Sequence, residues 1–392
     1  MSTSEQRVRE LCTQLLDELP PRETDPATFL GRQYDLGLAW VHFPVGYGGL
    51  GVESGLQAVV NQTLWAQGAP NAMARNFLGI GMGGATVLTH GTEEQKQRLL
   101  RPLFMGEELW CQLFSEPGAG SDLAALATRA VQEGDQWIVN GQKVWTTYGH
   151  LAKWGMLLTR TDPDIPKHAG MTYFIIDMHA PGVDVRPLVQ MTGEAEFNEV
   201  YMTDVVIPDS MRIGGVGQGW NVAMTTLSNE RIAIGGQSPP RGGGHIANAL
   251  NVWRDRGYDD PILADQLTTL WADQEALRLT NIRATQKRAI GAPGPESSVG
   301  KVVSAELRKR VGEFVMQLLG PEAQLMPGGY PMTRVEGVRP HTYQYEFLRS
   351  RANSIEGGTT EISKNIIAER MLGMPGEIRV DKDVAWKDVP RS

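Results

Sequence analysis

Cysteine is almost absent: Cys12 and Cys111 are the only two in 392 residues, so no disulfide framework is expected. No apolar run approaches the roughly 20 residues that a bilayer-spanning helix needs, and no membrane span is expected. The opening residues, MSTSEQRVRE, are charged and lack the apolar centre of a secretory signal. Positive charge is in deficit. There are 37 lysines and arginines against 45 aspartates and glutamates, for a net charge of −8, which disfavours a nucleic-acid partner. Short-period repeats and low-complexity tracts are missing too. The expectation is a cytoplasmic protein. What is present is the balance of a soluble globular chain, 41% hydrophobic and 21% charged. The length exceeds what a single core supports, so two or three domains are expected.

Residues 1–110 read as mostly helical. Val8, Leu11, Cys12, Leu15 and Leu16 recur at helical spacing, and Glu23 to Pro26 breaks that helix. Further helices are expected over Ser54–Gln67 and Asn71–His90, and another after Thr92, which has the character of an N-cap followed by an acidic first turn. Gly79-Ile80-Gly81-Met82-Gly83-Gly84 satisfies G-x-G-x-x-G. Its flanks read as helix rather than strand, so close packing through small residues explains it better than a dinucleotide site.

Residues 111–215 switch to a period of two, with strands expected over Trp154–Thr161, Met171–Asp177, Val183–Leu188 and Glu196–Val206. Asn140-Gly141, between two alternating segments, predicts a β-hairpin turn. The spacing suggests a compact antiparallel barrel or sandwich. From residue 216 the pattern returns to helix, with Trp220, Met224, Leu227, Arg231 and Ile234 on one face. Helices are expected over 262–289 and 298–319, and a last one from about Thr360 to Leu372 that stops at Gly373. The expected division is a helical domain 1–110, a β-domain 111–215, a C-terminal helical bundle 216–378 and a tail 379–392, an α+β architecture.

The most informative stretch runs from Cys111 to Tyr148. Ser115-Glu116-Pro117-Gly118-Ala119-Gly120-Ser121-Asp122 is rich in hydroxyls and in glycines that let backbone approach a ligand. Asn140-Gly141-Gln142-Lys143-Val144-Trp145-Thr146-Thr147 follows. Together they resemble the flavin-contacting middle segment of the acyl-CoA dehydrogenase family. Two further segments carry the resemblance. Pro44 to Gly51 resembles the family's P-x-x-Y-G-G-x-G loop, and Ile355-Glu356-Gly357-Gly358-Thr359-Thr360-Glu361-Ile362 its G-T-x-E/Q-I cofactor segment. Gly358 and Thr359 precede a helix N-terminus, where free N–H groups suit a phosphate or ribose oxygen; an ordinary capped helix is the alternative.

The resemblance implies an N-terminal helical domain, a middle antiparallel β-domain and a C-terminal four-helix bundle. It implies bound FAD, no metal, and α,β-dehydrogenation of an acyl-CoA in fatty acid β-oxidation or related lipid metabolism. Electrons would pass to an electron-transferring flavoprotein. A carboxylate base takes the α-proton, the flavin accepts hydride from Cβ, and hydrogen-bond donors stabilise the enolate charge. By position, Phe114, Ser115, Gly120, Trp145, Thr147, Gln317, Gly320, Gly358, Thr359 and Glu361 would hold the cofactor, and Ser121 and Arg231 the substrate.

Two glutamates compete for the base. In many members it directly precedes the Gly-Thr pair, where this chain has Gly357, with Glu356 one residue off. In the isovaleryl-type and long-chain-type branches it lies in a segment like L-x-x-E-R, matched by Leu227-Ser228-Asn229-Glu230-Arg231. Glu230 is the favoured reading and Glu356 the alternative; a chain with no functional base is the third. The family's E-R-x-x-F-G stretch has no clean counterpart at Trp253 to Tyr258, and the segment after Gln317 is altered to Gly320-Pro321-Glu322. These departures suit actinobacterial FadE-like members, in which unlike subunits share composite FAD sites, over a self-sufficient homotetramer. A weakly active partner subunit, or a flavin oxidase or monooxygenase on the same fold, are the other readings.

Overall fold

The first helix, α1 (Thr3–Glu18), forms because Val8, Cys12 and Leu15 fall on one face, and all three are fully buried. The computed structural model describes residues 3–234, 239–289, 296–326, 342–376, 378–379 and 381–390; the side chains of 230–234, 288–289 and 296–297 lie outside the description. The chain divides into two units, one of Met1–Pro187, Glu196–Ala233 and Val380–Ser392, the other of Leu188–Ala195 and Ile234–Arg379. Among the described residues no helix is long and apolar enough to cross a membrane.

In the first unit, α1 packs with α3 (Gln57–Ala66), and Val60 and Leu64 face it. The helix α2 (Pro26–Asp35) is started by Asp25, whose carboxylate accepts from the Ala27 and Thr28 amides at 3.0 Å. The long helix expected over 71–90 is instead broken. A short α4 (Ala72–Arg75) and a π-turn (Gly79–Gly83) precede α5 (Gly84–His90). Buried Asn76 causes the break. Its Nδ2 donates to the Leu103 and Glu108 carbonyls, and its Oδ1 accepts from the Gly79 and Trp110 amides. The glycine run accommodates indoles: an added Cβ would lie 3.0 Å from Trp110 at Gly83 and 2.8 Å from Trp40 at Gly84. The helix α6 (Glu93–Met105) opens with a Thr92–Gln95 capping box and ends at Gly106 in the left-handed region.

One sheet of eight strands follows: β1 (Trp110–Leu113), β2 (Arg129–Glu133), β3 (Gln136–Thr147), β4 (Trp154–Arg160), β5 (Met171–Asp177), β6 (Val183–Leu188), β7 (Phe197–Pro208) and β8 (Arg212–Ile213). The order is β6-β7-β3-β2-β4-β5-β8, with β1 beside β4. The sheet is mixed, not antiparallel throughout as expected: β1 runs parallel to β4, and β2 meets β4 in parallel at Arg129 and Arg160. Parallel neighbours need a crossover, and the loop after β1 begins that excursion. Both faces of β4 are covered. Met156 and Leu158 join one core with residues of the N-terminal helices, and Leu157 joins a second with Trp137, Phe174 and Val200.

Asn140-Gly141 is not a hairpin turn; it lies inside the unbroken strand β3. The turn is Gly134-Asp135, with Gly134 at φ +66° and Glu133 paired to Gln136. Gly141 is required for a different reason. An added Cβ there would lie 2.5 Å from the Thr128 hydroxyl, and the register against β7 shifts beside it.

The helix α7 (Gly219–Ile234) belongs to the first unit and is rotated from the expected face. Val222, Ala223 and Thr226 are buried, whereas Met224 is exposed. Thr226 sets this rotation through hydroxyl contacts to Thr86 at 2.9 Å and Tyr173 at 3.2 Å. The second unit contains α8 (Ile246–Arg256), α9 (Pro261–Ala289), α10 (Glu296–Leu319), α11 (Tyr343–Arg349) and α12 (Thr360–Arg370). Where a four-helix bundle was expected, α8, α9 and α12, together with the short α11, each pack on α10. Residues 290–295, between the two helices expected over 262–289 and 298–319, lie outside the described residues.

Candidate active site

The loop after β1 doubles back at once: Glu116 and Ala119 exchange both backbone hydrogen bonds at 3.0 Å around Pro117-Gly118. Beneath this turn is a buried ion pair. Lys143, wholly buried on β3, donates from Nζ to Glu116 Oε1 at 2.8 Å and to the Phe114 carbonyl at 3.0 Å. Glu116 also accepts from the Ala127 and Thr128 amides at 2.7 and 2.9 Å, so its carboxylate closes the loop at both ends. Burial pushes the Glu116 carboxyl up, but the Lys143 charge and these hydrogen bonds outweigh it, and its pKa lies below the ordinary carboxylate value. Burial pushes the Lys143 ammonium down, with Glu116 opposing. Two buried opposite charges in contact with satisfied hydrogen bonds form an ion pair.

The next residue, Val144, donates its amide to the Ser115 carbonyl at 2.9 Å, which joins the loop to β3. There β3 bulges: its register against β7 shifts between Lys143 and Thr146. Trp145 occupies the bulge at φ +62°, a costly conformation for an aromatic residue. Its indole is 60% exposed, its edge against Phe197 at 5.9 Å. Tyr148 repeats the pattern, at φ +53° and exposed, with Phe77 edge-on at 6.4 Å. Thr147 is part-buried at the strand end opposite Phe197. The Phe114 ring is buried against Tyr173. Gly120 and Ser121 are exposed, and an added Cβ at Gly118 or Gly120 would meet only open space.

The structure therefore brings Phe114, Ser115, Trp145 and Thr147 into one region of the first unit. Glu230 and Arg231 have helical backbone in α7, and their side chains lie outside the described residues. Gly120 lies in the same unit, and the remaining predicted cofactor residues belong to the second unit. Gln317 faces outward on α10, and Gly320 follows that helix at φ +59°. Gly358 is at φ +91° with open space beside it, Thr359 caps α12 by accepting from the Ile362 amide at 3.2 Å, and Glu361 is exposed. Lys301 donates to the Gly358 carbonyl. The Glu356 carboxylate is occupied: Arg349 reaches it at 2.8 and 3.3 Å and Asn353 Nδ2 at 2.6 Å.

Sequence reading missed the Lys143–Glu116 pair and Tyr148. A signal for the lysine existed. Burial along β3 falls at Trp137, Val139, Lys143 and Thr146, so Lys143 lies on the inward parity of Trp137 and Val139 and the bulge shifts the phase after it.

Models of three acyl-CoA dehydrogenase domains match the chain: the N-terminal domain over residues 3–107, the middle domain over 111–205 and the C-terminal domain over 217–372. Acyl-CoA dehydrogenase FadE34 of Mycobacterium tuberculosis (strain ATCC 25618 / H37Rv) is 40% identical over 343 residues, 87% of this chain and 45% of FadE34, so the chain spans under half of that relative. Acyl-CoA dehydrogenase IpdE1 of the same organism is 37% identical over 88% of this chain and 86% of its own. The solved structure described as Tcur3481-Tcur3483 steroid ACAD superposes with a TM-score of 0.75 at 27% identity, over 95% of this chain and 98% of that one. This chain belongs to the acyl-CoA dehydrogenase family, whose members are oxidoreductases that bind FAD.

The residues present fit that cofactor. An exposed indole in a strained bulge, joined through Val144 to a loop with open space at Gly118 and Gly120 and a buried charge pair beneath it, leaves room for a flat ring and its polar edge.

Proposed function

We propose that this chain is an FAD-dependent dehydrogenase subunit that desaturates the α,β bond of a bulky, polycyclic acyl-CoA. The observation that carries the reading is the bulge at Trp145, joined to Ser115 through Val144. In the first unit Ser115, Gly120, Trp145, Thr147 and the backbone at Phe114 would hold the cofactor. In the second unit Gln317, Gly320, Gly358, Thr359 and Glu361 would do so. When bound, FAD supplies the two-electron acceptance that desaturation requires.

Glu230 is the general base and takes the α-proton at its carboxylate, a task suited to a water-poor site that raises its proton affinity. The contacts of Glu356 support this assignment. Arg349 and Asn353 occupy its carboxylate, so it is not free to meet a substrate α-carbon. Ser121 and Arg231 bind the acyl-CoA.

A cavity of about 240 Å³ is the candidate entry for the acyl end. Trp40, Phe43, Leu64, Met73 and Ile80 line it, with Asn229, the residue before Glu230. It is smaller than pockets that enclose a whole drug-sized ligand, at roughly 300–1,000 Å³, so it takes only part of a polycyclic group. The polycyclic class rests on the steroid named for the solved relative. Electrons leave to an electron-transferring flavoprotein, and the working assembly is an oligomer, with a partner of unlike sequence the favoured form.

The test is a visible spectrum followed by anaerobic titration with acyl-CoA esters. A flavin spectrum bleached by a polycyclic acyl-CoA supports the reading. A colourless protein favours a cofactor-sharing partner subunit. One observation favours that second reading: Arg256, in the stretch lacking the family's arginine motif, is ion-paired to Glu322 within its own unit.

A further inference from the structure

The last described residues, 381–390, pack back onto the first unit, against the segment that follows Ser121. Ala385 forms a backbone bridge with Pro166, and the Trp386 and Lys387 amides donate to the Ile165 and Pro163 carbonyls at 2.9 and 3.0 Å. The Trp386 indole lies over the Arg160 guanidinium at 4.9 Å and donates from Nε1 to the Ala125 carbonyl at 3.2 Å. Arg160, buried, donates to the Ala124 and Lys167 carbonyls, each at 2.6 Å. Buried Lys167 stands between two carboxylates, Asp122 at 2.7 Å and Asp381 at 2.5 Å. Asp122, Ala124 and Ala125 are therefore each fixed by the tail or by a cation that the tail covers.

The segment from Ser121 to Leu126 has only a single 3-10 turn as regular structure of its own. Ala124 and Leu126 anchor it in the core, and its polar contacts at Asp122, Ala124 and Ala125 run to the tail or to cations that the tail covers. We infer that residues 381–390 are a strap that positions the loop from Ser121 to Leu126 for acyl-CoA binding, with Trp386 and Asp381 as its positioning residues. This rests on the reading of Ser121 as a substrate contact. The strap acts on substrate affinity; the Lys143–Glu116 pair fixes the loop at Glu116 and at Ala127 and Thr128 without it, so the cofactor platform does not depend on the strap.

The experiment uses the full-length FAD-loaded protein with Trp386→Ala, Trp386→Phe and Asp381→Asn. Acyl-CoA affinity is read from the flavin spectrum, and backbone amide exchange from residues 122–127. Losing a cation–π contact and a hydrogen bond together, Trp386→Ala should weaken acyl-CoA binding about tenfold. It should speed amide exchange in that segment and leave FAD content and kcat within about twofold. Trp386→Phe keeps the ring over Arg160 and should lose only about threefold. Faster exchange with unchanged acyl-CoA affinity, or a lower Tm alone, would overturn the inference. If the unmutated protein binds no CoA thioester, the dehydrogenase reading falls and the inference with it; if it binds and Trp386→Ala binds equally, only the strap falls.

Discussion

In residues 114–148 a loop and a strand are joined from beneath by buried charge; in residues 355–362 a turn is held at a helix end and faces outward. Both segments use a lysine on a backbone carbonyl. Lys143 donates to the Phe114 carbonyl, is wholly buried and has Glu116 as its counter-ion. Lys301 donates to the Gly358 carbonyl in an exposed setting. Low dielectric makes the first contact strong and its loss costly, while water competes with the second. The first segment is part of the folded core; the second is a capped helix end with open space at Gly358, free to adjust to a ligand.

The largest effect separates the glutamate of the second segment from Glu230 on α7. Glu230→Gln should lower turnover about 10³-fold with the flavin spectrum retained, whereas Glu356→Gln should stay within about tenfold, because Glu356 is committed to Arg349. Stopped-flow bleaching on both variants decides between them, and full activity in Glu230→Gln would reverse the assignment. Next in size, Lys143→Met should destabilise the protein by about 3–5 kcal/mol and release FAD, because Glu116 is left buried without a partner. Denaturant unfolding measures it, and Lys143→Met with Glu116→Gln should recover part of the loss. Lys301→Met should change stability by about 0–1 kcal/mol. Equal losses at the two lysines would erase the distinction.

Acid should act on the first segment. Glu116 is held below its ordinary value of 4.5, so its ionised form stabilises the fold above that pH. That contribution is lost as pH falls through the lower, folded value. Flavin release should therefore begin below about pH 4.5 and weaken in Glu116→Gln, as followed by flavin fluorescence. The smallest effect is expected at Trp145. Trp145→Gly removes a side chain from a left-handed conformation and should leave the apoprotein equally or slightly more stable, by up to about 1 kcal/mol. It should also weaken FAD binding, measured by fluorescence titration. A large fall in apoprotein Tm would make Trp145 a core residue rather than a platform.

The sequence alone determined a good deal. Period-3.6 and period-two patterns marked α1, α6, α9, α10 and most of the β-strands, because one-sided burial writes itself into residue spacing. The ordered motifs carried the family, since turn glycines and hydroxyls are needed locally and leave local signals. The tertiary structure decided what depends on partners distant in the chain. Asn76 breaks a helix because of Leu103, Glu108 and Trp110; Gly141 stays within a strand because Thr128 crowds it. Thr226 turns α7 toward Thr86 and Tyr173, and the tail finds Arg160 and Lys167 more than two hundred residues earlier. Each of these is a buried or close contact whose free energy exists only once both partners are in place, so neither partner's local sequence can record it.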